Sequence, residues 1–325
     1  SSVTALFDDV RMGSKEWIYR QYDQRVGLKT ARDSHSAISF LRLPSGRGLS
    51  VAVGCRPSLM RMDAQIGAYD AIFYPALQMA LKGAQALAVT DCLNFGNPEK
   101  IEIMSEFVAS VDALADAAKL LDAPVVSGNV SFYNETLGKN IPPTPATGLV
   151  GLAPGVEKLP QDEFQAEGEK VYLISTSQIR AFHRLAEVAG EESRFTGDFD
   201  PKAISAFIQS CLKLSSEVSF TSSKAVGSGG LFATLLRMSG QGIGFKASQN
   251  LSLSRILEER LYEAVVVVKN QDSSRFEKSA SSLGLSFESL GETGGNRLNF
   301  GGDLSWSLVE LQGKTQSAWA KAFGE

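Results

Sequence analysis

Asp91-Cys92-Leu93-Asn94-Phe95-Gly96-Asn97-Pro98-Glu99-Lys100, followed by Ser127-Gly128-Asn129-Val130-Ser131-Phe132-Tyr133-Asn134-Glu135, is the stretch on which the fold turns. Each polar run follows a short apolar one: Leu87 to Val89 leads into the first, Pro124 to Val126 into the second. Short apolar runs that break off at Gly and Asn read as buried strands ending in loops. Between them Met104, Phe107, Val108, Val111, Leu114, Ala115, Ala118 and Leu121 recur at helical spacing, which predicts a helix with one apolar face. Asn97 suits the N-cap and Pro98 the first helical position. The predicted unit is strand, polar loop, helix, strand, polar loop. A right-handed crossover places both strands in one sheet and both loops at the same end. That gathers Asp91, Asn94, Asn97, Asn129, Ser131 and Asn134 on one rim.

The rim is acidic and carboxamide in character. Aspartate and asparagine oxygens are hard ligands that suit Mg²⁺, an ion that keeps several waters and binds through one or two protein oxygens plus substrate phosphates. Gly128 allows backbone to approach a phosphate or ribose closely. A helix start at Asn97 to Lys100 offers free N–H groups and the positive end of a dipole to an anion. This chemistry describes a nucleotide–Mg²⁺ or phosphate site without an obvious catalytic base. The same residue types also serve as turn formers and caps, and residue type alone leaves both readings open.

Composition narrows the classes. The 325 residues are enough for two domains, each with its own core. Hydrophobic content of 43% and charged content of 21% belong to a globular chain. A net charge of −4 and a pI near 5.5 argue against nucleic acid as a partner. No apolar run reaches the roughly 20 residues of a membrane span, and no signal peptide is visible. Cys55, Cys92 and Cys211 fit a reducing compartment, have no metal-binding spacing, and lack a neighbouring base, so Cys55 and Cys92 read as small buried residues. His35 and His183 are the two histidines, so a mechanism needing several cannot be run by this chain alone. His35 reads as a turn or surface residue.

Along the chain, residues 1–14 show no period and are expected to be loose or partner-bound. Residues 15–155 form the first domain, 156–169 a Pro-, Gly- and acid-rich linker, and 170–325 an α+β second domain. Lys15 to Asp23 is aromatic and charged; Trp17 and Tyr22 are either interface anchors or part of a helix covering a core edge. Ala37 to Leu43 and Leu49 to Gly54 flank a Pro-Ser-Gly turn as a hairpin. Ile66 to Leu81 is an amphipathic helix stopped by Gly83. A proline-rich loop, Pro142 to Pro145, precedes a strand from Thr147 to Ala153. In the second domain, helices are expected over 178–189, 201–214, 231–238 and 272–283, strands over 171–175, 243–246, 263–268, 285–290 and 297–300, and a tail helix over 304–323 carrying Trp306 and Trp319.

The two polar runs, with Ser14-Lys15-Glu16-Trp17-Ile18-Tyr19-Arg20-Gln21-Tyr22-Asp23 and Ile141-Pro142-Pro143-Thr144-Pro145, resemble the phosphoribosylformylglycinamidine synthase family, in the second half of its large synthetase subunit. The resemblance is dense from Lys15 to Ala153 and thin afterwards. It implies an α+β fold: an aminoimidazole-ribonucleotide-synthetase-like N-terminal domain, then an α+β C-terminal domain of the same superfamily. It also implies a ligase of purine biosynthesis in the cytoplasm. In that reaction ATP activates the formamide oxygen of formylglycinamide ribonucleotide, and glutamine-derived ammonia displaces the phosphate. Carried over by position, Asp91 and Gly128 contact ATP, Asn129 binds Mg²⁺ and Ser131 touches the ribonucleotide. The implied partners are an N-terminal catalytic half, which carries the family's catalytic histidines, and a glutaminase subunit; neither nucleic acid nor membrane is implied.

The departures are specific. Thr30-Ala31-Arg32-Asp33-Ser34-His35-Ser36-Ala37 replaces a glycine- and aspartate-containing stretch of the family, and Val226-Gly227-Ser228-Gly229-Gly230-Leu231 lacks the acidic residue of its counterpart. The family's second, auxiliary nucleotide site is therefore expected to be degenerate, with Asp63 either its remnant or a helix cap. Three functions compete: an incomplete half of the synthetase, a non-catalytic scaffold half-subunit, and a stand-alone ATP-dependent enzyme working as a homodimer.

Overall fold

The computed structural model describes residues 2–176, 179–182, 186 and 190–323. The chain divides into two compact units. One comprises Arg25–Leu159 with Asp198–Lys213; the other comprises Ser1–Gln24, Pro160–Gly197 and Leu214–Glu325.

The first unit is built on a six-stranded sheet. Its strands are β1 (Thr30–Arg32), β2 (Ser39–Arg42), β3 (Gly48–Gly54), β4 (Gln85–Asn94), β5 (Val125–Ser131) and β6 (Thr144–Ala153), in the order β1-β2-β3-β6-β4-β5. β4 and β5 pair in parallel, joined by helix α2 (Ile101–Leu120). The other neighbour pairs described in this sheet are antiparallel. The predicted crossover and the β2–β3 hairpin are both present.

Helix α1 (Ala64–Leu81) packs on this sheet, and its ends follow the sequence: Asp63 Oδ1 accepts from the Ile66 N–H at 2.8 Å, and Gly83 follows the helix at φ 73°. Asp63 is therefore a cap. Inside α1, Pro75 has no N–H to give to the Ala71 carbonyl one turn earlier. The Thr147 hydroxyl of β6 donates to that carbonyl instead. The approach is close enough that a Cβ on Gly54 of β3 would lie 1.9 Å from the Ala71 oxygen. A sheet threonine thus repairs the helix, and a sheet glycine makes room for it.

Several local expectations are corrected. The polar runs are strand before they are loop: β4 continues through Asn94 and β5 through Ser131. The crossover helix starts at Ile101 rather than at Asn97, and Lys100 at its N-cap makes no side-chain cap bond. Asn97 closes a local turn, accepting from the Glu99 N–H at 2.9 Å. Thr144 and Pro145, expected in a loop, open β6.

In the second unit a seven-stranded sheet carries the core. With β7 (Lys170–Ser175), β8 (Ser222–Ala225), β9 (Phe245–Ala247), β10 (Glu263–Val268), β11 (Ser286–Thr293), β12 (Arg297–Asn299) and β13 (Ser305–Ser307), the order is β8-β10-β7-β11-β9-β12-β13. Helices at Gly230–Met238, Ser273–Ser282 and Leu308–Phe323 complete this unit, and helix Pro201–Glu217 begins in the first. The expected helix over 178–189 is corrected at Arg180–Phe182, which is strand paired to Arg194–Thr196; residues 177–178, 183–185 and 187–189, including His183, lie outside the described residues.

The N-terminal segment expected to be loose is packed. Leu6, Phe7 and Met12 are buried among Phe232, Leu257 and Leu311. Asp8 bonds both Lys314 and Lys321 at 2.7 Å, and Trp17 meets Trp319 edge-on at 5.0 Å. The apolar side chains in this stretch have no simple period because they fill a core made by other elements. No helix among the described residues is long and apolar enough to cross a membrane.

Candidate functional site

Strand parity sorts the predicted residues. From Thr90 onward β4 and β5 run in register as Thr90–Ser127, Asp91–Gly128, Cys92–Asn129, Leu93–Val130 and Asn94–Ser131. Paired residues share a face and successive residues alternate. Asp91 and Gly128 therefore lie on the face of Leu93 and Thr147, which are buried. Asn129 and Ser131 lie on the opposite, open face, with Thr90, Cys92 and Asn94. The single rim expected for these residues is two faces of one sheet edge, and the cause is the extra strand length: residues placed in loops alternate once they are in strands.

The two faces are nevertheless coupled through the backbone. The Asp91 carboxylate lies over Gly128, where a Cβ would come within 2.1 Å of its Oδ1, and it accepts the Asn129 N–H. Burial pushes the Asp91 carboxyl above its usual range, and the Asn129 N–H partly offsets this. Gly128 is thus required for the room it leaves.

Carboxamides fix the turns beyond the strands. Asn134 Nδ2 donates to the Phe95 carbonyl at 2.9 Å and lies 3.1 Å from Ser131 Oγ. Asn140 Oδ1 accepts from the Asn97 N–H at 2.9 Å and packs where a Cβ on Gly96 would be. Phe107 of α2 meets Phe95 at 5.2 Å and Phe132 at 4.9 Å, both edge-on. Lys100 pairs with Glu135 at 3.5 Å. Asn140, Thr90 and Cys92 went unnoticed as site residues, and Asn94 was placed on the rim but not in a row with them. Their signal was the alternation of small polar residues at every second position in both strands.

β5 is an edge strand and is exposed over most of its length. Val126 (68%) and Val130 (49%) are exposed, as is Val53 (76%) on the open face of β3. The strand has no lysine or proline to protect it. Cys92 is exposed and Cys55 half-buried, so the expectation of two buried thiols fails for Cys92, which sits opposite Asn129 on the open face. Burial, with Asp70 nearby, pushes the Cys55 thiol up to about 12.

Among the described residues no cluster of three His, Cys, Asp or Glu side chains is placed to hold a metal ion. The open face presents Asn129 without a carboxylate beside it in the register. This donor set fits a magnesium ion held chiefly by nucleotide phosphates and water, to which the chain adds an oxygen; it does not fit a self-contained site.

Residues 36–153 match the family of AIR synthase related proteins, N-terminal domain. With the fold described above, that match makes residues 36–153 an AIR-synthase-like N-terminal domain within an α+β chain. Among curated proteins, the chain is 33% identical over 92% of its own length to the phosphoribosylformylglycinamidine synthase subunit PurL of Anaeromyxobacter sp. (strain Fw109-5). It spans about two fifths of the length of such relatives, 42% in that case. Among solved structures, it resembles phosphoribosylformylglycinamidine synthase II from Thermotoga maritima with a TM-score of 0.60 and 20% identity, over 86% of this chain and 40% of the other. It also resembles a chain of the HypE–HypF complex, with a TM-score of 0.58 and 15% identity, over 82% of this chain and 92% of the other.

Proposed function

We propose that this chain is the C-terminal half of a phosphoribosylformylglycinamidine synthase and supplies part of its active site. The observation that carries the reading is the Asp91–Gly128 and Asn129–Ser131 arrangement on adjoining parallel strands, within a region similar to PurL. Structures of Thermotoga maritima PurL are described as complexes with ATP and with FGAR, and as PurLQS. By that analogy Asp91 and Gly128 face ATP, Asn129 lends an oxygen to Mg²⁺, and Ser131 touches the ribonucleotide. The ion supplies charge neutralisation on the transferred phosphoryl group. The chain's own contribution is positioning: two strand faces, locked together by one carboxylate–N–H bond, fix where each ligand group sits.

The same reading assigns the partners. The exposed valines and the unprotected edge of β5 are the surface that a missing N-terminal half covers, and a glutaminase supplies ammonia. A cytoplasmic location belongs to this reading too, in keeping with three free cysteines.

The test is reconstitution with the N-terminal half, ATP, Mg²⁺, formylglycinamide ribonucleotide and ammonia. Turnover is expected from the pair and from neither half alone. Asn129→Ala is expected to lower the rate of the pair at least tenfold, with partial recovery at raised Mg²⁺. An unchanged rate would remove the metal assignment.

A second reading, a non-catalytic scaffold half, is favoured by the glycine loop at 227–230. There the Gly229 N–H is taken by Glu259 Oε1 at 2.8 Å, and a Cβ on Gly229 would meet Met12 and Ala233 at 2.6 Å. That loop is occupied by the protein itself. A reassembled pair that remains active when Asp91 and Asn129 are both replaced by Ala would establish the scaffold reading.

A further inference from the structure

The open face of β4 and β5 is a ladder of uncharged polar pairs: Thr90 with Ser127, Cys92 with Asn129, Asn94 with Ser131. Asn94 also lies opposite Thr144 of β6, so the last rung runs Thr144–Asn94–Ser131 across three strands. We propose that Asn94 is a further substrate-binding residue, which with Ser131 recognises a neutral hydrogen-bonding group of the ribonucleotide rather than its phosphate. The proposal rests on the reading given above.

The orientation of the Asn94 amide follows from its neighbours. Asn94 lies 2.8 Å from the Cys92 carbonyl oxygen and 3.3 Å from that of Thr144. Both are acceptors, so they fix the NH₂ group between them. The Oδ1 atom is turned away from both carbonyls, and among the described residues it accepts no hydrogen bond. It is a fixed acceptor on the open face, available to a donor brought by a ligand in place of water. On the same rung the Ser131 hydroxyl is held by Asn134, with Nδ2 at 3.1 Å and Oδ1 at 3.4 Å.

The charge balance selects the ligand group. None of the six ladder side chains is cationic, and nearby Lys100 is paired with Glu135. Apart from the magnesium ion proposed at Asn129, which is taken by nucleotide phosphates, the Thr144–Asn94–Ser131 rung offers the ribonucleotide phosphate no positive charge. A group that carries a donor next to an acceptor matches the rung, and the substrate offers two: the ribose diol and the amide of its glycinamide arm.

Steady-state kinetics of the reconstituted pair test the assignment, using formylglycinamide ribonucleotide, its 2′,3′-dideoxy analogue and its amide N-methyl analogue. With the natural substrate, Asn94→Ala is expected to raise the ribonucleotide KM roughly tenfold or more and leave the ATP KM unchanged. Against whichever analogue lacks the recognised group, the wild-type advantage over Asn94→Ala should vanish. That identifies the ribose or the amide as the source, because a general loss of structure would penalise all three compounds alike. If Asn94→Ala fails to assemble, Asn94→Ser reads the same ratio. A ratio equal for all three compounds, or a ribonucleotide KM that does not move, overturns the assignment of Asn94. Absence of turnover by the wild-type pair would instead overturn the underlying functional reading.

Discussion

At the scale of single residues, the Asp91 carboxylate over Gly128 carries a cost in stability. Burial raises the Asp91 carboxyl above its ordinary value near 3.8. Between the unfolded and the raised folded value, the folded state holds more protons than the unfolded one. Stability therefore falls as pH rises through that window, and the penalty is fully present at neutral pH. Asn at this position keeps an oxygen for the Asn129 N–H and carries no charge to desolvate. Asp91→Asn is accordingly expected to melt higher than wild type at neutral pH, with the gain shrinking as pH falls through the raised folded value and gone below about 3.8. Thermal melts across that range check it, and a gain independent of pH would assign the effect to something other than ionisation. If Asp91 faces ATP, the same substitution weakens nucleotide binding by the assembled protein, so it trades affinity for stability.

Among the elements, α1 depends on a repair made from outside. Pro75 leaves the Ala71 carbonyl without its helical donor, and Thr147 supplies one. Thr147→Val keeps the shape and strands the buried carbonyl, which should cost about 1–3 kcal/mol. In a Pro75→Ala background the helix regains its own donor, and the Thr147→Val penalty should shrink toward zero. Denaturant titrations of the four proteins give the coupling directly. At this scale the sequence was readable wherever one element explained its own residues. The hairpin, the Asp63 cap and the Gly83 stop were all local signals, whereas the stripe expected on α2 was half right: Leu114, Ala118 and Leu121 are buried, but Met104, Val108, Val111 and Ala115 are exposed and the buried face runs through Ile103, Ser110, Ala113 and Ala117. The lengths of β4 and β5 were not legible, because Asn, Ser and Gly are turn formers by propensity and become strand only when neighbours on the sheet accept their backbone. For the same reason Asp91 and Asn129 were correctly brought together by the crossover but assigned to one side. A single alternation, invisible until strand replaced loop, separates them. The alternating polar row was present in the sequence and was masked by its resemblance to a turn.

For the whole molecule, the exposed edge at β5 makes the state of assembly measurable. Cys92 is exposed on the open face, whereas Cys55 is half-buried with its thiol pushed up to about 12 and Cys211 is fully buried. A thiol reagent at mildly alkaline pH should therefore label the isolated chain first at Cys92. Joining the N-terminal half should slow that labelling several-fold and leave the slow phases of the other two unchanged. Mass spectrometry of timed samples resolves the three sites, and equal Cys92 rates before and after assembly would place the partner on another surface.

The packed N-terminal segment also orders events in time. Leu6, Phe7 and Met12 share their core with Leu308 and Leu311 of the last helix, and Asp8 is held by lysines from that same helix. During synthesis Leu6, Phe7 and Met12 wait for Leu308 and Leu311, while the six-stranded sheet that lies between them in sequence has every strand it needs once Ala153 has emerged. The sheet that bears the candidate site can therefore form while Leu6, Phe7 and Met12 are still unpacked, and the helix Leu308–Phe323 is the latch that closes the core they share.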